Sequence, residues 1–469
     1  MTSSMKAVIR RLPTGVPGLD DVLGGGLPEL SFNLIAGPPG SGKTTLAHQL
    51  MFSLATPERP ALYFTVLGEP PLKMLRYQQQ FDFFDLDKLN RSIRIVNLAD
   101  ESALGDLSAL QQRIVAEVES HAPGVVVVDS FRTLVPGEPG DGRTLAEMQR
   151  FIQNLGVLMA SWQATTFLVG EYTSENVPNP VFTVADGMIW LRQSVHGHSM
   201  VRQMEIVKMR GQATRPGLHA MRIGPAGVEV FAPPSLNDGA SPVRFPVRLA
   251  MGVPGLDEMM GGGLPCGHSL LVAGPSGSGK SLLAFAFLAE GARQGQPGVI
   301  AAFGHPVRSC SAAMASLIER GRVGVVGTPA NGLSVDEIAM LLLAEVRRLG
   351  ARRVVIDSLA GLELALAPTF RADLREALSR IVSALATENV TLLVTCEPDE
   401  RGIDLCTRPH GCAFLADAVI VQRWVEVAGR LQRVMAVVKV RSSAHSVEVR
   451  PYSIDDDGLH LAPMPPGPA

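Results

Sequence analysis

Short apolar, often β-branched runs alternate along this chain with longer segments whose apolar residues recur at helical spacing. In the first half the runs are FNLIAG (32–37), ALYFTV (61–66), GVVVVD (124–129) and TTFLVG (165–170). MIWLRQ (188–193) and RQMEIVKMR (202–210) follow and read as a two-stranded ribbon. Between the runs lie segments such as LSALQQRIVAEVES (107–120), apolar on one helical face. The runs are far too short to cross a bilayer, and GVVVVD and RVVID (353–357) each end in an acid, as strands buried on both faces do. Alternating β and α segments predict an α/β fold with a mostly parallel sheet flanked by helices.

The pattern occurs twice. GVPGLD stands at 15–20 and again at 252–257, an offset of 237. GGGLP (24–28 and 261–265) and AGPPGSGKTT against AGPSGSGKSL (36–45 and 273–282) keep that offset. VVVVDS (125–130) matches VVIDS at its end (354–358) with an offset of 228, and VKMR (207–210) matches VKVR (438–441) at 231. The order never changes, so one domain has been duplicated, with some loop lost from the second copy. The stretch APPSLNDGASPVRFP (232–246) has linker composition. We therefore expect a first domain over 1–235, a linker at 236–246, a second domain over 247–462 and a disordered tail at 463–469. A chain of 469 residues suits two such domains.

Composition narrows the function classes. The chain is 46% hydrophobic and 19% charged, with a net charge of −3, so it is core-forming and exerts no global pull on nucleic acid or anionic membrane. Five cysteines, none in a CxxC pair, fit reduced thiols in a cytoplasmic protein. MTSSMKAVIRRLPTG contains no apolar run of the kind a signal peptide needs.

The chemistry sits in two loops of the form GxxxxGK[ST]. The first copy offers Gly37, Pro38, Pro39, Gly40, Ser41, Gly42, Lys43, Thr44 and Thr45. The second offers Gly274, Pro275, Ser276, Gly277, Ser278, Gly279, Lys280, Ser281 and Leu282. Glycines let successive N–H groups face a phosphate, the lysine reaches the β- and γ-phosphates, and the Thr44 or Ser281 hydroxyl takes Mg²⁺ at a helix N-terminus. Asp129 and Asp357, at the ends of apolar strands, are placed to hold that Mg²⁺. A strand-end Asp alone is more often a cap; an upstream phosphate loop in both copies tips the balance. ATP and Mg²⁺ are thus the expected ligands.

Lysine is scarce: there are only seven, and four of them occupy duplicated positions. Two are Lys43 and Lys280. The others, Lys208 and Lys439, precede Arg210 and Arg441 in a K-x-R pattern that strand periodicity places on one face. Paired cations are commonly solvated surface; their duplication favours a phosphate partner.

TGVPGLDDVLGGGLPE, then GPPGSGKTT, VVVVDS and KMRG, in that order and twice over, resemble the KaiC family of double RecA-like ATPases. The resemblance spans nearly the whole chain. It implies two tandem RecA-like P-loop NTPase domains and a ring, usually a hexamer, with ATP between subunits. It also implies that Lys208, Arg210, Lys439 and Arg441 reach the γ-phosphate of a neighbouring subunit. The family's two adjacent glutamates after the P-loop helix are missing. Leu67-Gly68 and Gly304-His305 stand there, with Glu69 one place late as a candidate base of the first copy. The clock protein's phosphoacceptor hydroxyls align with Ala413 and Phe414, and the glycine after K-x-R, Gly211, becomes Ser442. Glu171 and Glu397, after the next strand, either sense nucleotide or cap a loop.

The expected function is a ring that couples slow ATP hydrolysis, mainly in the first domain, to signalling or to an unknown partner protein. The alternatives are a serine/threonine autokinase, as in the clock protein, and a RadA-like DNA recombinase. The latter is disfavoured because the basic residues after each strand-end Asp are balanced by acids.

Overall fold

A computed structural model of the chain describes residues 9–65, 71–98, 107–129, 142–161, 163–172, 180–196, 199–233, 247–303, 312–327, 332–371, 374–397 and 415–463. The chain folds as two compact units, Met1–Ala232 and Pro233–Ala469. Glu69, His305, Ala413 and Phe414, the linker at 236–246 and nearly all of the 463–469 tail lie outside the described residues.

In the first unit the sheet strands are β1 (Phe32–Gly37), β2 (Ala61–Thr65), β3 (Ile93–Asn97), β4 (Val125–Asp129), β5 (Thr165–Glu171), β6 (Gly187–His196), β7 (Ser199–Met209), β8 (Leu218–Gly224) and β9 (Gly227–Phe231). Their order in the sheet is β9-β8-β7-β6-β1-β5-β4-β2-β3. The strands from β6 to β3 run parallel, whereas β7, β8 and β9 extend the sheet in antiparallel register. Helix α1 (Lys43–Leu54) packs on one face with Ile35, Tyr63, Val125, Val127 and Val169. On the other face, helices α2 (Leu107–His121) and α3 (Gly142–Ser161) cover Leu34, Leu62, Val126, Val128 and Leu168. Cover on both faces is why VVVVD reads as an unbroken apolar run.

The second unit repeats the plan. Its strands are β10 (Ser269–Ala273), β11 (Gly298–Ala301), β12 (Val323–Val326), β13 (Arg353–Ile356), β14 (Thr391–Cys396), β15 (Ala418–Val427), β16 (Arg430–Val440), β17 (Val449–Asp455) and β18 (Gly458–Leu461). The sheet order is β12-β11-β13-β14-β10-β15-β16-β17-β18. Helix α4 (Lys280–Arg293) covers one face; α5 (Val335–Leu349) and α6 (Leu374–Thr387) cover the other. The fold is therefore two mostly parallel, helix-flanked sheets of RecA-like plan. The GVPGLD turns also correspond: Thr14 N–H donates to Asp20 at 2.9 Å, and Met251 N–H to Asp257 at 2.8 Å.

Strands β3, β8 and β9 do not stand out as hydrophobic runs. β3 (IRIVN) is an edge strand with Arg94 and Asn97 exposed, so it lacks the two-sided cover that makes a central strand legible. Among the described residues no helix is long and apolar enough to cross a membrane.

Candidate functional site

Each GxxxxGK[ST] loop joins the central strand of its sheet to a helix, β1 to α1 and β10 to α4. Gly42 and Gly279 cap these helices with φ of 103° and 95°, the left-handed region that a side chain rarely adopts. A Cβ on Gly42 would lie 2.5 Å from Ile223 Cδ1, and one on Gly279 would lie 2.6 Å from Ile454 Cδ1. The outer antiparallel strands thus brace the loop, and both positions require glycine.

The two lysines fold back identically. Lys43 Nζ donates to the Pro38 carbonyl at 2.8 Å, and Lys280 Nζ to the Pro275 carbonyl at 2.9 Å. Both are buried. Burial lowers the Lys43 pKa, with Glu171 and Asp129 opposing that shift. Lys280 also pairs with Glu397 at 3.3 Å. The strand-end glutamates therefore stand beside the loop lysines in both copies.

Asp129 and Thr44 are brought together: the Thr44 hydroxyl lies close enough to the Asp129 carboxylate to favour its charged form. Tyr63, from the adjacent strand β2, donates its phenol to Asp129 Oδ2 at 2.8 Å. Burial raises the Asp129 pKa, opposed by the nearby Thr44 hydroxyl, the Tyr63 hydrogen bond and the Lys43 charge. In the second copy Asp357 Oδ1 accepts from the Thr395 hydroxyl at 2.5 Å. Among the described residues no cluster of three or more His, Cys, Asp or Glu could hold a metal unaided. A lone strand-end carboxylate beside a hydroxyl and a phosphate loop suits Mg²⁺, which keeps its waters and shares its ligands with bound phosphates. The donor set present fits nucleotide and Mg²⁺ together.

The K-x-R residues lie elsewhere. Lys208 Nζ donates to the carbonyls of Phe182, Thr183 and Ala185, and Arg210 pairs with Asp186 at 3.1 Å. Lys439 Nζ donates to Ala416 O at 2.6 Å, and Arg441 pairs with Asp417 at 3.0 Å. The same two aspartates accept the backbone N–H groups of Phe32 at 3.1 Å and Ser269 at 3.0 Å, at the starts of β1 and β10. The phosphate loops leave the other ends of those strands, about 17 Å along β1 at ordinary strand rise. Both arginine side chains are 60% exposed. Ser442 adopts the left-handed conformation of its counterpart Gly211, with φ of 58° against 81°, so the substitution leaves the turn unchanged.

Sequence reading missed Tyr63, Thr395, Asp186 and Asp417 as site residues. Tyr63 and Thr395 are hidden in apolar strand runs. The offset between copies would have exposed the two aspartates, which both lie 24 residues before the arginine they pair with.

A family model described as "ATPase: KaiC" matches residues 12–235 and 249–465. "Circadian clock oscillator protein KaiC 1" of Synechocystis sp. (strain ATCC 27184 / PCC 6803 / Kazusa) is 27% identical over 467 residues, covering 96% of this chain and 88% of that protein. "Circadian clock oscillator protein KaiC" of Thermostichus vulcanus is 25% identical over 479 residues, covering 98% and 90%. The protein of that name from Prochlorococcus marinus (strain MIT 9313) is 26% identical over 470 residues, covering 97% and 93%.

Proposed function

Because this chain belongs to the KaiC family of ATPases and carries two KaiC domains, we propose that it binds one ATP with Mg²⁺ at each phosphate loop. We further propose that it assembles into a ring, with a hexamer as the expected size, and turns ATP over mainly in the first domain. Lys43 and Lys280 hold the phosphates; Thr44 with Asp129, and Ser281 with Asp357, hold the metal. Bound Mg²⁺ supplies positive charge against that developing on the transferred phosphoryl group. Nucleotide state then reads out to a partner protein.

The observation that supports shared sites is the position of the two K-x-R pairs. They sit at the strand ends remote from their own loops, with exposed arginines. A phosphate they contact is that of another subunit. The asymmetry between domains rests on sequence alignment: Glu69 follows one place after the position of the family's paired glutamates in the first copy, whereas Gly304-His305 stand there in the second. Loss of a general base typically costs about 10²–10⁴ in rate. Ala413 and Phe414 offer no hydroxyl to phosphorylate, which weighs against the autokinase reading.

Lys43→Ala is expected to remove one bound nucleotide per chain and most turnover; Lys280→Ala removes the other nucleotide and little turnover. Arg210→Ala slows turnover while binding persists. Mixtures of Arg210→Ala and Lys43→Ala chains recover activity at interfaces where two intact halves meet. A mixture that stays inactive, in protein of verified oligomeric mass, would show that the sites are not shared.

A further inference from the structure

The two copies hold their strand-end aspartates from opposite sides. In the first, the donor to Asp129 is Tyr63 on β2, the strand that pairs with β4 on one side. In the second, the donor to Asp357 is Thr395 on β14, which pairs with β13 on the other side. The register makes the exchange explicit. Tyr63 lies opposite Val127, and the equivalent position in the second unit, opposite Val355, is Ile300. Asp129 lies opposite Val169 on β5, and Val169 occupies the position that Thr395 takes on β14. At these two equivalent positions, Tyr63/Ile300 on one flank and Val169/Thr395 on the other, each copy has one hydroxyl donor to its acid and one aliphatic residue, with the two swapped.

Alternation along the strands accounts for the contact. Tyr63 and Val127 both pack on the face covered by α1, and Asp129, two residues beyond Val127, points to that same face. Tyr63 is 1% exposed and its ring stacks on His48 of α1 at 4.6 Å between centroids. A buried phenol held between a helix and a strand has little rotational freedom, so its hydroxyl fixes the carboxylate it meets.

We propose that Tyr63 is a positioning residue of the first nucleotide site, orienting the Asp129 carboxylate toward the metal position beside Thr44, and that Thr395 performs this task for Asp357. The inference rests on reading Asp129 and Asp357 as metal-side acids. Outer-shell donors of this kind typically change metal affinity about 10–100-fold when removed.

The experiment uses the full chain with one site silenced at a time. Lys280→Ala isolates the first site and Lys43→Ala the second. The affinity for a non-hydrolysable ATP analogue is titrated with Mg²⁺ and, separately, measured in chelator. In the Lys280→Ala background, Tyr63→Phe is expected to raise the Mg²⁺ concentration at half-effect about tenfold and to leave the affinity in chelator unchanged. Thr395→Val does the same at the second site in the Lys43→Ala background. Adding Val169→Thr to Tyr63→Phe transplants the second copy's donor and restores the Mg²⁺ dependence.

A Mg²⁺ titration unmoved by both Tyr63→Phe and Thr395→Val overturns the proposal. So does an affinity loss that is equal with and without Mg²⁺, which marks a packing effect. Failure of the underlying site reading looks different: Lys43→Ala chains would still bind two nucleotides.

Discussion

At the scale of single residues, burial dictates which groups the fold can hold in only one protonation state. His48 is completely enclosed beneath Tyr63, and the buried Gln78 side chain approaches it without completing a hydrogen bond of normal geometry. Burial pushes its pKa down to about 3, well below that of an exposed imidazole. Between that value and about 6.5 the unfolded chain takes up a proton that the folded chain refuses, so stability falls as pH falls. The expected loss from this residue at pH 5 is about 2 kcal/mol. Denaturant titrations of wild type and His48→Leu between pH 7.5 and 5 check it, the variant giving the flatter dependence.

Arg353 is the converse case, a cation kept charged in the interior. Its guanidinium donates to Ala250 O at 2.7 Å and Phe287 O at 2.8 Å and lies 4.6 Å above the Phe287 ring. Burial lowers its pKa to about 10, against the pull of Glu290 and Asp257. Arg353→Ala removes the donor to the part-buried Ala250 carbonyl and to the buried Phe287 carbonyl, and is expected to cost about 3 kcal/mol in the second unit, measured by chemical unfolding. Val125 stands at the corresponding position of the first copy and has no such duty.

At the scale of elements, what the sequence makes legible depends on how an element is covered. Central strands roofed on both faces by helices show as apolar runs, and Phe32–Gly37, Ala61–Thr65, Val125–Asp129 and Thr165–Glu171 follow those runs closely. The edge strand Ile93–Asn97 and the outer hairpin Leu218–Phe231 carry mixed polarity and do not. The phosphate loops are legible because their chemistry demands particular residues at fixed spacing. Tyr63 and Thr395 are not, because their work is done across strands, by register, which a linear pattern does not display. Helix α5 begins with a reciprocal cap: Ser334 Oγ accepts from Glu337 N–H at 3.1 Å, while Glu337 Oε2 accepts from Ser334 N–H at 3.3 Å. Ser334→Ala is expected to destabilise the second unit by about 1 kcal/mol and to leave the first untouched, as two-probe denaturation can show.

At the scale of the whole molecule, the described residues hold two nine-stranded sheets, each drawn from one contiguous half. Ligand binding should therefore stabilise the halves independently. In Lys280→Ala protein, ATP with Mg²⁺ at a hundredfold excess over its dissociation constant is expected to stabilise only the first unit, by about 2.7 kcal/mol. In Lys43→Ala protein only the second unit responds. Calorimetry with and without nucleotide resolves the two cases; a shift of both units in either variant would show that the domains unfold as one.

The order of strands within each sheet has a consequence for synthesis. In the first unit, β1 is the first sheet strand to leave the ribosome, yet its neighbours on either side are β5 and β6, which begin at residues 165 and 187. At ordinary elongation rates its hydrogen-bonding edges wait about 10–30 s for the rest of the sheet. During that interval β1 has helix α1 to pack against but no strand on either edge. Translational pauses upstream of residue 187 lengthen the wait and favour aggregation; pauses far enough beyond Phe231 for β9 to have cleared the ribosome favour closure of the sheet.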